Sequence, residues 1–124
     1  MSFSATASAD QRQTASIAAN ENILTMVNVL TPEPGKQDAA IRLLQAGMSD
    51  EMSAQPGFIS STIHRSLNSE HVVVYAQWRD QASVNAAVEV IQSGGAPNMA
   101  EVFAIASPDF HPYNVESVHS AKGD

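Results

Sequence analysis

Residues 58–78 read Phe58-Ile59-Ser60-Ser61-Thr62-Ile63-His64-Arg65-Ser66-Leu67-Asn68-Ser69-Glu70-His71-Val72-Val73-Val74-Tyr75-Ala76-Gln77-Trp78. β-branched and aromatic residues fill both ends, and Leu67-Asn68-Ser69-Glu70 makes a polar break between them. That pattern predicts a hairpin of two antiparallel strands, Phe58 to Ser66 and His71 to Trp78. The second strand alternates Val73, Tyr75 and Gln77 against Val72, Val74, Ala76 and Trp78. Both sets are too apolar to lie open to water, so the sheet needs a cover on each face.

Outward from the hairpin the period changes from two to 3.6. Upstream, Ile41, Leu44, Met48 and Met52 form one stripe, flanked by Ala40, Leu43 and Gly47, which predicts a helix running to about Gln55. Pro56-Gly57 ends it. Before it, Thr31-Pro32-Glu33-Pro34-Gly35 stops a short β-rich run, Ile23 to Leu30. Downstream, Asp80 reads as an N-cap, and Val84, Ala87, Val88 and Ile91 follow at i, i+3, i+4 and i+7. Ser93-Gly94-Gly95-Ala96-Pro97 breaks that helix, and Asn98 to Ile105 predicts a shorter one with Met99, Val102 and Phe103 inward. After the turn Ser107-Pro108-Asp109, Phe110 to Val118 reads as the last strand, with a bulge where Val115 and Val118 break alternation.

The expected fold is α+β, a ferredoxin-like βαββαβ domain with an antiparallel sheet and helices on one face. The expected divisions are an N-terminal extension at 1–22, the domain at 23–119 and a tail at 120–124. The extension is rich in Ala, Ser, Thr, Gln and Asn. It is either a loose tail or an arm that docks on a partner subunit. The second sheet face is expected to pack on another copy of the same sheet with two-fold symmetry, a homodimer.

Composition narrows the chemistry. The 124 residues contain no cysteine, which excludes disulfides, thiolate metal sites and cysteine nucleophiles. This fits a cytoplasmic setting. Six Lys and Arg face thirteen Asp and Glu, a formal charge of -7, and no basic stretch exists. Nucleic acid and anionic membrane are therefore poor partners. No apolar run approaches the ~20 residues of a spanning helix, and the first residues do not read as a signal peptide. No phosphate loop, Ser-His-Asp elbow or metal-ligand helix is present, and the carboxylates are scattered. The metal expectation is none.

Three patterns resemble one family. Gln55-Pro56-Gly57-Phe58-Ile59 looks like its entry to the second strand, His64-Arg65-Ser66-Leu67 like the exit, and Tyr75-Ala76-Gln77-Trp78-Arg79-Asp80 like the end of the third. Their spacing and the element order resemble the antibiotic biosynthesis monooxygenase family over roughly residues 23 to 118. The resemblance implies a dimeric α/β barrel. It also implies a cofactor-independent monooxygenase acting on a small aromatic quinol, anthrone or other enolisable compound, with no cofactor. In such enzymes a third-strand Trp and nearby Asn residues line a pocket between sheet and helices. Trp78 matches the first of these, and Asn28 matches an Asn that some members carry on strand one. The sequence departs from the pattern at Val74, where an Asn is common, and at Val84, where an aromatic is common. An Arg found after the second helix in some members has no counterpart, since no Lys or Arg occurs between Arg79 and Lys122. The axial His of haem-degrading relatives is also missing, as residues 92 to 105 contain no histidine.

Oxygen in its triplet state reacts poorly with closed-shell molecules, so a cofactor-free site must hold an electron-rich anion and keep it dry. Asn28 and Trp78 are the expected catalytic residues. Asn28 is the candidate donor in an otherwise apolar strand; the other reading is an amide satisfied by local backbone or by the partner. Trp78 supplies a flat wall and one N–H, or simply closes the helix–sheet core. Met26, His64, Val74, Val84 and Met99 are the expected substrate-binding residues. His64 is a candidate base, with its strand face unassigned. Met26, Met48, Met52 and Met99 are either a soft pocket wall or ordinary core. Tyr75, on the opposite set from Trp78, is expected to face the partner. A non-catalytic small-ligand-binding or scaffold homodimer is the alternative function.

Overall fold

The computed structural model describes residues 13–19 and 21–123. Strand β1 (Leu24–Pro32) leads into helix α1 (Gln37–Gly47), which continues as a π-helical turn (Met48–Met52). Strands β2 (Phe58–Arg65) and β3 (Val72–Trp78) form the predicted hairpin. Helices α2 (Gln81–Gln92) and α3 (Pro97–Ile105) follow, then the short strands β4 (Ala106–Ser107) and β5 (Phe110–Tyr113). The strand order is β2-β3-β1-β4, with β5 also pairing β1, and every pairing is antiparallel. This is the ferredoxin-like arrangement. The sheet of one chain is open rather than closed into a barrel.

Local chemistry explains the joints. In the β2–β3 turn the Ser66 hydroxyl accepts the backbone N–H of Glu70 and of His71, at 3.1 and 2.8 Å. Gln37 locks that end of the hairpin to α1. Its amide donates to the carbonyls of Ser66 and His71, and its Oε1 accepts from Arg65. Gly57, at φ +86°, carries the chain into β2 beneath α2, where a Cβ would lie 2.1 Å from the Ser83 Oγ. Only glycine fits, which explains the Pro56-Gly57-Phe58 motif. Phe58 then packs edge-on to Trp78, with ring centroids 5.2 Å apart. Asp80 caps α2 by accepting from the Ser83 backbone N–H at 2.9 Å.

Register decides the faces. Leu24, Met26, Asn28 and Leu30 pair with Trp78, Ala76, Val74 and Val72. These positions meet α1, α2 and α3, and the core forms there: Leu30, Leu44, Val72 and Val102 are fully enclosed. The opposite face carries Val27 and Val29 on β1, Val73, Tyr75 and Gln77 on β3, and Thr62 and His64 on β2.

Two predicted elements differ. The first helix does not run unbroken to Gln55. After Gly47 it widens to a π turn, in which the Ser53 N–H donates to the Met48 carbonyl at 2.9 Å. The last strand stops at Tyr113 instead of Val118, because β1 begins at Leu24 and Tyr113 already pairs with Thr25. Val115 and Val118 therefore have no ladder to bulge from. Residues 1–12 and 20 of the expected extension, and residue 124 of the expected tail, lie outside the described residues. Of the remainder, Ser16 lies against the open face, its carbonyl accepting from the Gln77 amide at 2.7 Å.

Candidate active site

A cavity of about 110 Å³ lies between the covered face of the sheet and the helical layer. Its floor is Met26 and Asn28 of β1 with Val74, Ala76 and Trp78 of β3. Val84, Ala87, Val88 and Ile91 of α2 form one wall. Met48 and Met52 of the π turn and Met99 of α3 form the other, and Phe103 and Phe110 stand at the mouth. Those two rings are 36% and 45% exposed, so the cavity opens to water between them.

Asn28 is the one side chain of this lining with strong hydrogen-bonding capacity on the floor. The cross-strand register sets it between Val74 and Phe110. The Asp109 backbone N–H donates to its Oδ1 at 3.1 Å, while the Asp109 carbonyl accepts from the Val29 N–H at 2.9 Å. The loop before β5 is thus clamped to β1 on both sides of Asn28. With the amide oxygen taken, Nδ2 is left as the donor, without a protein acceptor among the described residues. The two readings of Asn28 are therefore compatible: one end is satisfied by backbone, and the other is available to a ligand. Trp78 is 6% exposed and lays its indole along the same floor.

Six of the seven predicted site residues meet at this cavity: Met26, Asn28, Val74, Trp78, Val84 and Met99. His64 does not, which corrects the expectation that it lines the pocket. It is exposed and pairs with Val73, on the face turned away from the helices. A one-residue alternation decides this, and Ile63, paired with Val74, takes the inward place. Tyr75 also lies on the outer face, half-buried. His111 is exposed, its ring 2.9 Å from the Asp109 carboxylate.

Sequence reasoning missed three contributors. Asp109 and Phe110 are 81 or more residues from Asn28 in the chain, and only the β1–β5 register joins them. Glu51 was hidden inside the first helix. It is 9% exposed, and its carboxylate accepts the N–H groups of Asn98 and Met99 at 2.8 and 3.1 Å, capping α3 from a neighbouring element. Its signal was an acid between two inward methionines.

Among the described residues no group of three His, Cys, Asp or Glu side chains is placed to hold a metal ion. None of their helices is long and apolar enough to cross a membrane. A larger recess, about 720 Å³, lies elsewhere, between Gln13–Ala15, the end of α1 and the edge strand β2. Hydroxyls such as Ser49, Ser53, Ser60 and Thr62 line it, and it has no titratable side chain. The smaller cavity is the better site because its lining is almost wholly apolar around one placed donor.

A sequence profile described as antibiotic biosynthesis monooxygenase matches residues 23–89. The chain belongs to the antibiotic biosynthesis monooxygenase family. The match runs from β1 through most of α2, so the cavity residues of α3 and β5 lie beyond it. Over 72 residues the chain is 39% identical to the tetracenomycin-F1 monooxygenase of Streptomyces glaucescens, covering 58% of this chain and 64% of that relative. The chain therefore spans a little less than two thirds of that relative's length. SnoaB of Streptomyces nogalater, a cofactor-independent oxygenase, superposes with a TM-score of 0.65 at 19% identity, over 84% of this chain and all of that one. The monooxygenase from the gene ActVA-Orf6 of Streptomyces coelicolor, solved with nanaomycin D, gives 0.61 at 22% identity, over 82% of this chain and 95% of that one. At such identities these likenesses speak to the fold.

Proposed function

We propose that this protein is a cofactor-independent monooxygenase of a small aromatic quinol or other enolisable compound, working as a homodimer. One observation carries the reading. In an otherwise apolar cavity, the amide of Asn28 has its oxygen tied to backbone and its N–H₂ left to donate. A donor fixed in advance in an apolar site stabilises an oxyanion without reorganising.

The chemistry then needs no outside reductant. The phenolate or enolate carbon of the substrate attacks oxygen, and a C–O bond forms to give a peroxide. That carbon loses its remaining proton, the O–O bond breaks, and water leaves. A ring C–H becomes C=O, one oxygen atom enters the product, and the other leaves as water. Asn28 holds the substrate oxygen while Trp78 and the apolar walls exclude solvent. His64, remote from the cavity, has no part in this.

The test is oxygen uptake with a panel of phenols, hydroquinones and anthrones in the presence of a chelator. Asn28→Ala is expected to lower kcat/KM about 10²–10³-fold, the usual cost of one oxyanion donor. Turnover equal to wild type would remove Asn28 from the mechanism. The modest cavity volume favours a second reading, a small-ligand-binding or scaffold homodimer. Ligand binding without any oxygen consumption would select it.

A further inference from the structure

We propose that Met99 is the specificity-determining residue of the cavity, limiting it to single-ring phenols and quinols. The proposal takes its ligand chemistry from the oxygenase reading above, but the size limit itself concerns binding. The volume, about 110 Å³, sets the scale. An engineered apolar cavity of about 150 Å³ in another protein accepts benzene. One ring, with a substituent directed between Phe103 and Phe110 to the solvent, is what this space allows.

A methionine wall is ordinarily soft, because an unbranched thioether re-packs easily. Met48, half-buried, fits that description. Met99 does not, because both its main chain and its side chain are held. Its N–H donates to the Glu51 carboxylate at 3.1 Å, and the neighbouring Asn98 N–H donates to the other carboxylate oxygen at 2.8 Å. Its thioether fills a notch at Gly47, where a Cβ would stand 2.6 Å from Sδ and 2.9 Å from Cγ. The π turn supplies both restraints, since Gly47 immediately precedes it and Glu51 sits within it. The floor is equally unyielding, being two hydrogen-bonded strands. Met99 is therefore the methionine of this wall that does not yield, and enlarging the site beyond what Met48 can give means removing it.

Larger ring systems carry more apolar surface and would bind more tightly in an unrestricted apolar site. The affinity order is thus a direct reading of the limit. Trp78 is the only tryptophan, so one indole N–H signal in a ¹⁵N NMR spectrum follows occupancy of the cavity. Titrations run without oxygen would compare hydroquinone, 1,4-dihydroxynaphthalene and anthrone. In the wild-type protein anthrone is expected to bind at least about ten-fold more weakly than hydroquinone. Met99→Ala is expected to shift that ratio about ten-fold or more toward anthrone. Met99→Leu, which refills the notch, should retain the wild-type order. If the alanine variant does not fold, Met99→Val makes the same test. Anthrone binding to the wild type as tightly as hydroquinone overturns the proposal, as does a ratio that Met99→Ala or Met99→Val leaves unchanged. Oxygen uptake is measured separately. The expected binding order without oxygen consumption would defeat the oxygenase reading and leave the size limit standing.

Discussion

On β3, Val74 and Trp78 are 5% and 6% exposed, whereas Val73 and Tyr75 between and beside them stay half-buried. On β1, Leu30 is fully enclosed while its neighbour Val29 is 37% exposed. Both sheet faces carry apolar side chains, mixed on the outer one with Gln77, Thr62 and His64, and they differ in what covers them. The inner face is finished within one chain by α1, α2 and α3, and the cavity forms where that cover is incomplete. The outer face has only part of the N-terminal extension, with Ser16 on Gln77, over one end. Val27, Val29, Val73 and Tyr75 on that open face are the apolar patch that the proposed homodimer would cover. On the proposed function the inner face is the chemical half of the molecule and the outer face its assembly half.

The sharpest way to break that contrast is to truncate neighbours on opposite faces. Leu30→Ala is expected to cost about 2–5 kcal/mol, because it removes fully buried methyl groups and leaves a void beneath the helices. Val29→Ala is expected to cost less than about 1 kcal/mol in the monomer. Urea unfolding of both variants at low protein concentration measures the difference. Equal losses would mean that the outer face is packed as fully as the inner one.

The assembly half is tested by charge. A homodimer through the outer face is isologous, so a residue near its centre meets its own kind across the two-fold axis. Tyr75→Glu would place two carboxylates into that contact, and the dissociation constant of the dimer is expected to rise at least about 100-fold. Sedimentation should show twice 13.2 kDa for the wild type and 13.2 kDa for the variant, with far-UV circular dichroism unchanged. A wild-type monomer, or a Tyr75→Glu dimer of undiminished affinity, would remove the outer face from assembly.

Much of this was legible in the residues because period and punctuation are local signals. The alternation of Val72 to Trp78 and the stripe of Val84, Ala87, Val88 and Ile91 gave the strand and the helix. Pro56-Gly57 and Asp80 gave their boundaries. What stayed hidden depends on distance in space. The face of His64 turns on a register that the pattern within β2 marks only weakly, since Ser60, Thr62 and His64 alternate with Ile59, Ser61 and Ile63 and serine stands in both sets. The clamp of Asp109 on Asn28 needs the β1–β5 pairing. The work of Glu51 depends on α3 ending its approach beside the π turn, and a helical stripe does not reveal a π turn. Of the six converging cavity residues, Asn28, Trp78, Val74 and Val84 came from matching the family's pattern position by position, Met26 from its place on the same strand face as Asn28, and Met99 from the inward side of the short helix.

The smallest expected effect concerns acid, and it too separates the faces. Asp80 and Asp38 both have carboxyls held below their ordinary pKa, and both serve the helical layer. For Asp80 the main cause is the hydrogen bond from the Ser83 hydroxyl, followed by the Ser83 backbone N–H. For Asp38, in the first turn of α1, the cause is the Arg65 guanidinium, 2.7 Å away on β2. A carboxyl whose folded pKa lies below its unfolded value adds stability above the unfolded value and loses it as pH falls through the folded one. The loss therefore falls below about pH 4. Thermal unfolding followed from pH 6 to pH 2.5 is expected to show Tm falling more steeply in the wild type than in Asp80→Asn. That variant keeps a capping oxygen but has nothing to titrate. At pH 6 the two should differ little. Identical slopes below pH 4 would show that the α2 cap does not sense acid, and Asp38→Asn would then test the contact with Arg65 by the same measurement.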